Sequence, residues 1–448
     1  MRLKIFIKTY GCQMNERDSE MAAVLLQRRG FTIADCEKQA DIIILNTCSV
    51  RAKAEEKAIG KMRLLAAGRK KGRKNLIIGA AGCMVQRMQA DIFRQVPGLD
   101  FALSPSAFAA AGDVIEKVLA GRRPAADFSE GRPAGETNTH FENKVSAFIN
   151  VLYGCNRHCS YCIVPAVRGR EWSRPAAEII REAAEVVRNG AREIILLGQS
   201  ILAYGRLNPV WKNEPESPLG FTEPFPRLLE ALAAVNGLKR LRFMSSHPSG
   251  CTDELARCFG ELPAVCPHVH LPLQSGSDRI LKMMNRGYTA AEYRGAVARL
   301  RRRVPDIAVT TDIIVGFPAE TREDFDLTRA FMEEIGFNNA FIFKYNPRPG
   351  TKAAELDDDV PSAEKLRRNH VILEEQNRRS LELNRKLLGR ECLALIEGRS
   401  RRNPDRWSGR TDGNVLAVFE KTDGCRPGGL VRIKINRAEA QTLYGAPC

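Results

Sequence analysis

Short β-branched runs of strand length alternate with amphipathic stretches of helix length over most of this 448-residue chain. That alternation is the strongest constraint on its fold. A strand buried on both faces reads as a continuous apolar run, and a parallel neighbour needs a helical crossover. In residues 1–120 the runs are Leu3–Ile7, Asp41–Leu45 and Leu76–Ala81, with helical patterns such as Asp18–Arg29 and Lys53–Ala66 between them. They predict an α/β unit, an open parallel sheet with helices on both faces.

Residues 121–140, rich in Gly, Pro and polar side chains, read as a linker. Residues 141–375 resume the alternation. Candidate strands are Val145–Val151, Glu193–Leu197, Arg240–Ser245, Val269–Pro272, Ala308–Val315 and Asn339–Lys344. Helical patterns Pro175–Asn189, Pro226–Val235, Asp278–Met284, Ala290–Arg303 and Arg322–Ile335 separate them. Six βα units predict a partial TIM-type (β/α)6 barrel with its chemistry at the C-terminal strand ends. From Ser362 to about Arg385 the pattern is one long charged helix. Residues 376–445 then predict a small all-β barrel, with strands Glu391–Glu397, Asn414–Phe419 and Leu430–Asn436.

No run of 18 apolar residues exists, so no membrane-spanning helix is expected. The opening residues form a strand pattern without the apolar core of a signal peptide, which makes the cytoplasm the expected compartment. In a reducing compartment, 13 cysteines point to metal ligands, catalytic groups or buried apolar residues.

Two cysteine sets stand out. Cys155, Cys159 and Cys162 follow the first strand of the six-unit region with the spacing C-x-x-x-C-x-x-C. Three thiolates on one tight loop can ligate three irons of a cubane cluster and leave the fourth iron open. Structural zinc would need a fourth ligand, and His158 sits inside the same short loop, where it cannot easily complete a tetrahedron. Cys12, Cys48 and Cys83 stand 36 and 35 residues apart, each just after a predicted strand. A parallel sheet would bring all three to its C-terminal edge, the usual ligand-binding edge. They too suggest a three-cysteine cluster. Cys36, Cys251, Cys258, Cys266, Cys392, Cys425 and Cys448 are expected to be ordinary thiols.

The segment Gly154–Cys162, with Tyr161 directly before its last cysteine, resembles the radical SAM superfamily. Over the whole chain the resemblance is to the methylthiotransferase family within it. It rests on Lys8–Glu20, Asn46–Arg51, His270–Ser277 and Lys344–Thr351. Tyr10 and Gln13-Met14 match the subfamily that acts on isopentenyladenosine in tRNA; its sisters carry Leu-Gly-Cys-Lys-Val-Asn or Leu-Gly-Cys-Pro-Lys-Asn there. Two departures are Ser200-Ile201-Leu202, where Asn-Val-Asn is usual, and Ala166, where Tyr is common.

The resemblance implies two [4Fe–4S] clusters, held by Cys155, Cys159 and Cys162 and by Cys12, Cys48 and Cys83. It implies S-adenosylmethionine (SAM) bound near Tyr161, Gly198, Gln199, Gln274, Asp312 and Gly316, with Gly316 allowing close approach of backbone to ligand. The implied reaction puts a methylthio group on carbon 2 of N6-(dimethylallyl)adenosine, just 3′ of the anticodon. One SAM would give the methyl group and another the 5′-deoxyadenosyl radical. The implied partners are tRNA and an electron donor such as flavodoxin or ferredoxin, with no membrane, and the chain is expected to be a monomer.

The chain carries a net charge of +16. Residues 376–445 hold 15 Lys and Arg against 8 Asp and Glu, which suits an RNA backbone. This segment resembles a TRAM domain. Arg390, Arg399, Arg401, Arg402, Arg406 and Arg410 are expected around one loop of it.

Overall fold

The computed structural model describes residues 2–50, 52–69, 73–131, 140, 144–211, 216–422 and 424–448. The chain divides into two compact units. One holds the residues up to 142 with Tyr153–Arg157 and Cys162–Trp172; the other holds Asn143–Leu152, His158–Tyr161 and Ser173–Cys448.

The first unit is built on a six-stranded, all-parallel sheet. Its strand order is Thr32–Ile33, Lys4–Tyr10, Ile42–Thr47, Ile77–Ala81, Phe101–Leu103, Ala125–Asp127. The continuous apolar runs exist because both faces are covered. Ile42, Ile44 and Ile77 face one core with Met21 and Leu26 of helix Gln13–Arg28 and Val114 and Ile115 of helix Ala111–Leu119. Ile43, Leu45 and Ile78 alternate to the other, with Met62 and Leu65 of helix Ala52–Arg69. Each such side chain contributes roughly 1.5–3 kcal/mol of burial, so a one-residue register slip would exchange the two sets. The sixth strand lies within 121–140, so the sheet continues past residue 120. Residues 132–139 of that predicted linker lie outside the described residues.

In the second unit six parallel strands form the wall of the partial barrel. Arg240–Phe243, Glu193–Leu197 and Ser146–Asn150 make one sheet, and His268–His270, Ala308–Val315 and Asn339–Lys344 the other. An isolated parallel bridge between Leu241 and Val265 leads from the first of these sheets to the chain entering strand His268–His270. The strand expected at Val269–Pro272 is shorter and begins at His268, since Pro272 has no N–H to pair. Helix Asp253–Glu261, which the hydrophobic pattern did not announce, starts at Thr252, whose hydroxyl accepts from Leu255 N at 3.2 Å.

The helix Ser362–Arg385 continues across the boundary expected at 375/376. Gln376 Nε2 donates to Phe337 O at 2.9 Å, and Asn384 Nδ2 to Glu439 O at 2.8 Å, so one helix ties the α/β wall to the C-terminal strands. Those strands form a closed five-stranded barrel, ordered Glu391–Arg399, Arg406–Thr411, Leu416–Glu420, Thr442–Pro447, Leu430–Ala438. It docks on the N-terminal ends of the parallel strands. Buried Arg240 and Arg242 reach from their strand into it: Arg240 donates to Leu393 O at 2.9 Å, and Arg242 to Thr411 O and Asp412 O at 2.7 and 2.8 Å. Glu193 holds Arg242 Nε at 2.8 Å, so its buried charge is paired. The C-terminal strand ends thus remain clear of this small barrel.

Candidate functional site

In the first unit the sheet register brings Cys12, Cys48 and Cys83 together. Tyr10 is paired with Thr47, and Asn46 with Ala81, so the three strands end level and each delivers its cysteine one or two residues later. Cys48 N donates to Tyr10 O at 2.9 Å, which closes the first gap. Asn15 and Asn46, both fully buried, then lock the edge. Asn15 Nδ2 donates to Asn46 Oδ1 at 3.1 Å, while Asn46 Nδ2 donates to Asn15 O and Ser19 Oγ at 2.8 and 2.9 Å. Asn15 Oδ1 accepts from Cys12 N and from Cys12 Sγ, at 3.4 and 3.3 Å. Gly82 has φ +95°, and a Cβ there would lie 2.2 Å from Asn46 Oδ1. Only glycine admits this turn beside the clamp.

The Cys48 thiol hydrogen-bonds to the Cys12 sulfur, which lowers Cys12 to about 6 and raises Cys48 well above the usual thiol range. Burial pushes Cys83 up, and Arg168 beside it pulls the other way. Arg168 Nε donates to Cys83 Sγ at 3.1 Å, and its Nη2 donates to buried Asp18 at 2.7 Å. Among the described residues no three His, Cys, Asp or Glu side chains surround a single ion position. A cubane is held differently, with each thiolate on its own iron.

Cys155 and Cys162 also lie in the first unit. Cys155 N donates to Gly169 O at 3.3 Å, and Glu171 N to Asn156 Oδ1 at 3.0 Å. Gly154, φ +68°, has no room for a Cβ, which would fall 2.3 Å from Arg170 O.

Cys159 and Tyr161 belong to the second unit, where Arg286 holds both. Its Nη1 donates to Cys159 Sγ at 3.2 Å and to Tyr161 Oη at 3.4 Å, and its Nη2 to Pro272 O at 3.1 Å. Ser160 N donates to Met284 O at 2.9 Å, and Asn285 Nδ2 to His158 O at 2.7 Å.

At the C-terminal strand ends of the second unit, Gln199 Oε1, Ser246 Oγ and Gln274 Oε1 are buried without a protein hydrogen-bond partner. Such orphans ask for a polar ligand, and the polar amino acid and nucleoside groups of SAM fit that need. Gln274 takes φ +76° while its N donates to Asp312 O at 2.8 Å. Gly198 follows the strand Glu193–Leu197 and is backed by Leu152. The Asp312 carboxylate lies 3.3 Å from His270 Nε2.

Gly316 follows the strand Ala308–Val315. Its φ is +67° and its N donates to Glu320 at 2.6 Å, but a Cβ there would strike Lys365 at 2.3 Å. The helix Ser362–Arg385 therefore fills the position that a side chain at residue 316 would take. The arginine set separates. Arg399, Arg401 and Arg402 are exposed at one loop, with Arg406 half-buried beside them. Arg390 stands at the opposite end of strand Glu391–Arg399, and Arg410 is paired with Glu397 at 3.4 Å. Arg168, Arg286 and Ser246 escaped sequence reasoning, and Asn15 and Asn46, though inside motifs read from the sequence, had no role assigned there. Only Asn15, three residues past a cysteine at a helix start, carries a local signal, that of a capping partner.

Family descriptions match three stretches: Radical SAM superfamily over residues 149–332, Uncharacterized protein family UPF0004 over 4–104, and TRAM domain over 385–447. The tRNA-2-methylthio-N(6)-dimethylallyladenosine synthase of Methylacidiphilum infernorum is 40% identical over 99% of this chain and 94% of its own. That of Moorella thermoacetica is 43% identical over 98% and 97%. The chain belongs to the tRNA-2-methylthio-N(6)-dimethylallyladenosine synthase family. It is a radical SAM enzyme, and the superfamily implies a [4Fe–4S] cluster and SAM. Among solved structures, the radical S-adenosylmethionine methyltransferase TsrM of Kitasatospora setae, with tryptophan and a SAM analogue bound, shares the fold. Its TM-score is 0.56 at 14% identity, over 78% of this chain and 75% of that one.

Proposed function

We propose that this enzyme transfers a methylthio group to carbon 2 of N6-(dimethylallyl)adenosine in tRNA, with Cys155, Cys159 and Cys162 holding one [4Fe–4S] cluster and Cys12, Cys48 and Cys83 a second. The observation that carries the two-cluster reading is the level ending of three adjacent strands at Cys12, Cys48 and Cys83, locked by Asn15 and Asn46. When bound, the clusters and two SAM molecules supply an electron, a 5′-deoxyadenosyl radical, sulfur and a methyl group.

The chain's own residues prepare the site. Arg286 holds Cys159 and Tyr161 in fixed orientation from one planar, permanently charged group. Gln199, Ser246 and Gln274 offer buried polar atoms to SAM at the C-terminal strand ends. Exposed Arg399, Arg401 and Arg402 give the small barrel phosphate contacts for tRNA; these position the substrate without reading its sequence. To hold a cluster, Cys12 and Cys48 would both have to be thiolates.

The test is anaerobic reaction with isopentenylated tRNA, with iron counting, deoxyadenosine assay and mass analysis of nucleosides. Cys159→Ala should abolish deoxyadenosine formation. Cys48→Ala should retain SAM cleavage while forming no methylthiolated nucleoside. Wild-type product from Cys48→Ala would remove the second cluster from the reaction.

A further inference from the structure

The segment that begins at Cys162 also reaches Cys83. Six residues past Cys162, Arg168 ends the short helix Val164–Arg168 and donates Nε to Cys83 Sγ at 3.1 Å. Ile163 and Val167 of the same segment pack against Cys83 in a small buried cluster. The guanidinium is almost fully buried, and so is Asp18, which accepts from its Nη2 at 2.7 Å.

Arginine cannot lose its proton, so the charge is permanent. Asp18 pairs this charge through Nη2, the nitrogen next to Nε, so what Arg168 gives the Cys83 sulfur directly is the Nε–H hydrogen bond. Neither carboxylate nor guanidinium would be stable alone at this depth, so the pair is built as a unit. In the second unit buried Arg286 likewise donates to a cysteine sulfur, Cys159 Sγ, though without a carboxylate partner among the described residues.

We propose that Arg168 is a positioning residue that fixes the Cys83 sulfur and raises the reduction potential of the cluster held there. This rests on the reading that Cys83 is a cluster ligand. A hydrogen bond and a positive charge at a ligand sulfur stabilise the more negative, reduced cluster, so both raise its potential.

The experiment uses the full chain with Cys155, Cys159 and Cys162 all replaced by Ala, leaving one cluster. It is reconstituted anaerobically, and its midpoint is measured by redox titration monitored by electron paramagnetic resonance. Arg168→Gln should disfavour reduction at least tenfold, about 59 mV to the negative for one electron. Arg168→Lys keeps the charge and loses the fork, so it should shift in the same direction by less. Reduction equilibria of both variants within twofold of the parent overturn the proposal. If Arg168→Gln holds no iron, Arg168→Lys against the parent decides by the same criterion. If the parent of this series holds no iron, the reading of Cys12, Cys48 and Cys83 as ligands has failed instead, and the inference falls with it.

Discussion

Asn46→Ala tests the edge of the first sheet most directly. Asn46 is fully buried and makes three side-chain hydrogen bonds, two as donor to Asn15 O and Ser19 Oγ and one as acceptor from Asn15 Nδ2. Alanine removes all three. Ser19 Oγ retains Thr9 Oγ1 at 2.7 Å, and Asn15 O sits in a helix where the backbone can serve it. Asn15 Nδ2 is left as a buried donor without a partner, at a cost of about 1–3 kcal/mol. The vacated amide volume adds to this, for a total of about 2–4 kcal/mol. At 1.4 kcal/mol per decade, amides protected by this edge should exchange roughly 30- to 1,000-fold faster. Hydrogen exchange with mass spectrometry reads this on peptides covering Lys4–Tyr10 and Gln13–Arg28 in the cluster-free chain. Because Asn15 also orients Cys12, reconstituted Asn46→Ala should hold about four irons per chain instead of about eight. Exchange within threefold of the parent, with full iron, would refute the clamp.

Two further outcomes are set by the geometry. Gly82→Ala must place a Cβ 2.2 Å from Asn46 Oδ1 and 2.8 Å from Thr47 O at φ +95°, so its melting temperature should fall by several degrees. Gly30→Ala, at φ +89° with open space around it, should cost only about 1 kcal/mol; equal losses would show that the clash is absent. At Asp324, burial raises the carboxyl, but hydrogen bonds from Arg279, Ser277 and Thr321 outweigh it and hold the group well below the usual carboxylate range. A depressed folded value stabilises the folded chain fully above the unfolded carboxylate value of about 3.9, and the benefit is lost as pH falls through the folded one. Asp324→Asn should therefore lower the urea midpoint at pH 7, with a deficit that shrinks below about pH 4; a deficit independent of pH would contradict this account.

Much of the molecule is legible in its sequence. Runs such as Ile42–Leu45 must be buried on both faces, and that alone implies parallel strands with helical crossovers. Cysteine spacing within one loop is local, so Cys155, Cys159 and Cys162 needed no fold to be grouped. Cys12, Cys48 and Cys83 needed only the rule that parallel strands end at one edge. Other features depended on residues far apart in sequence. Nothing near Gly316 reveals that Lys365, on a later helix, takes the space beside it. No pattern around Arg240 or Arg242 announces that they hold the C-terminal barrel on the N-terminal strand ends. Arg168 lies 85 residues from the sulfur it touches and 150 from the carboxylate that balances it. Periodicity and spacing report which face of an element is buried, because burial is a property of each element's own pattern. Which charge meets which sulfur is set by the packing of elements, and only the tertiary structure decides that.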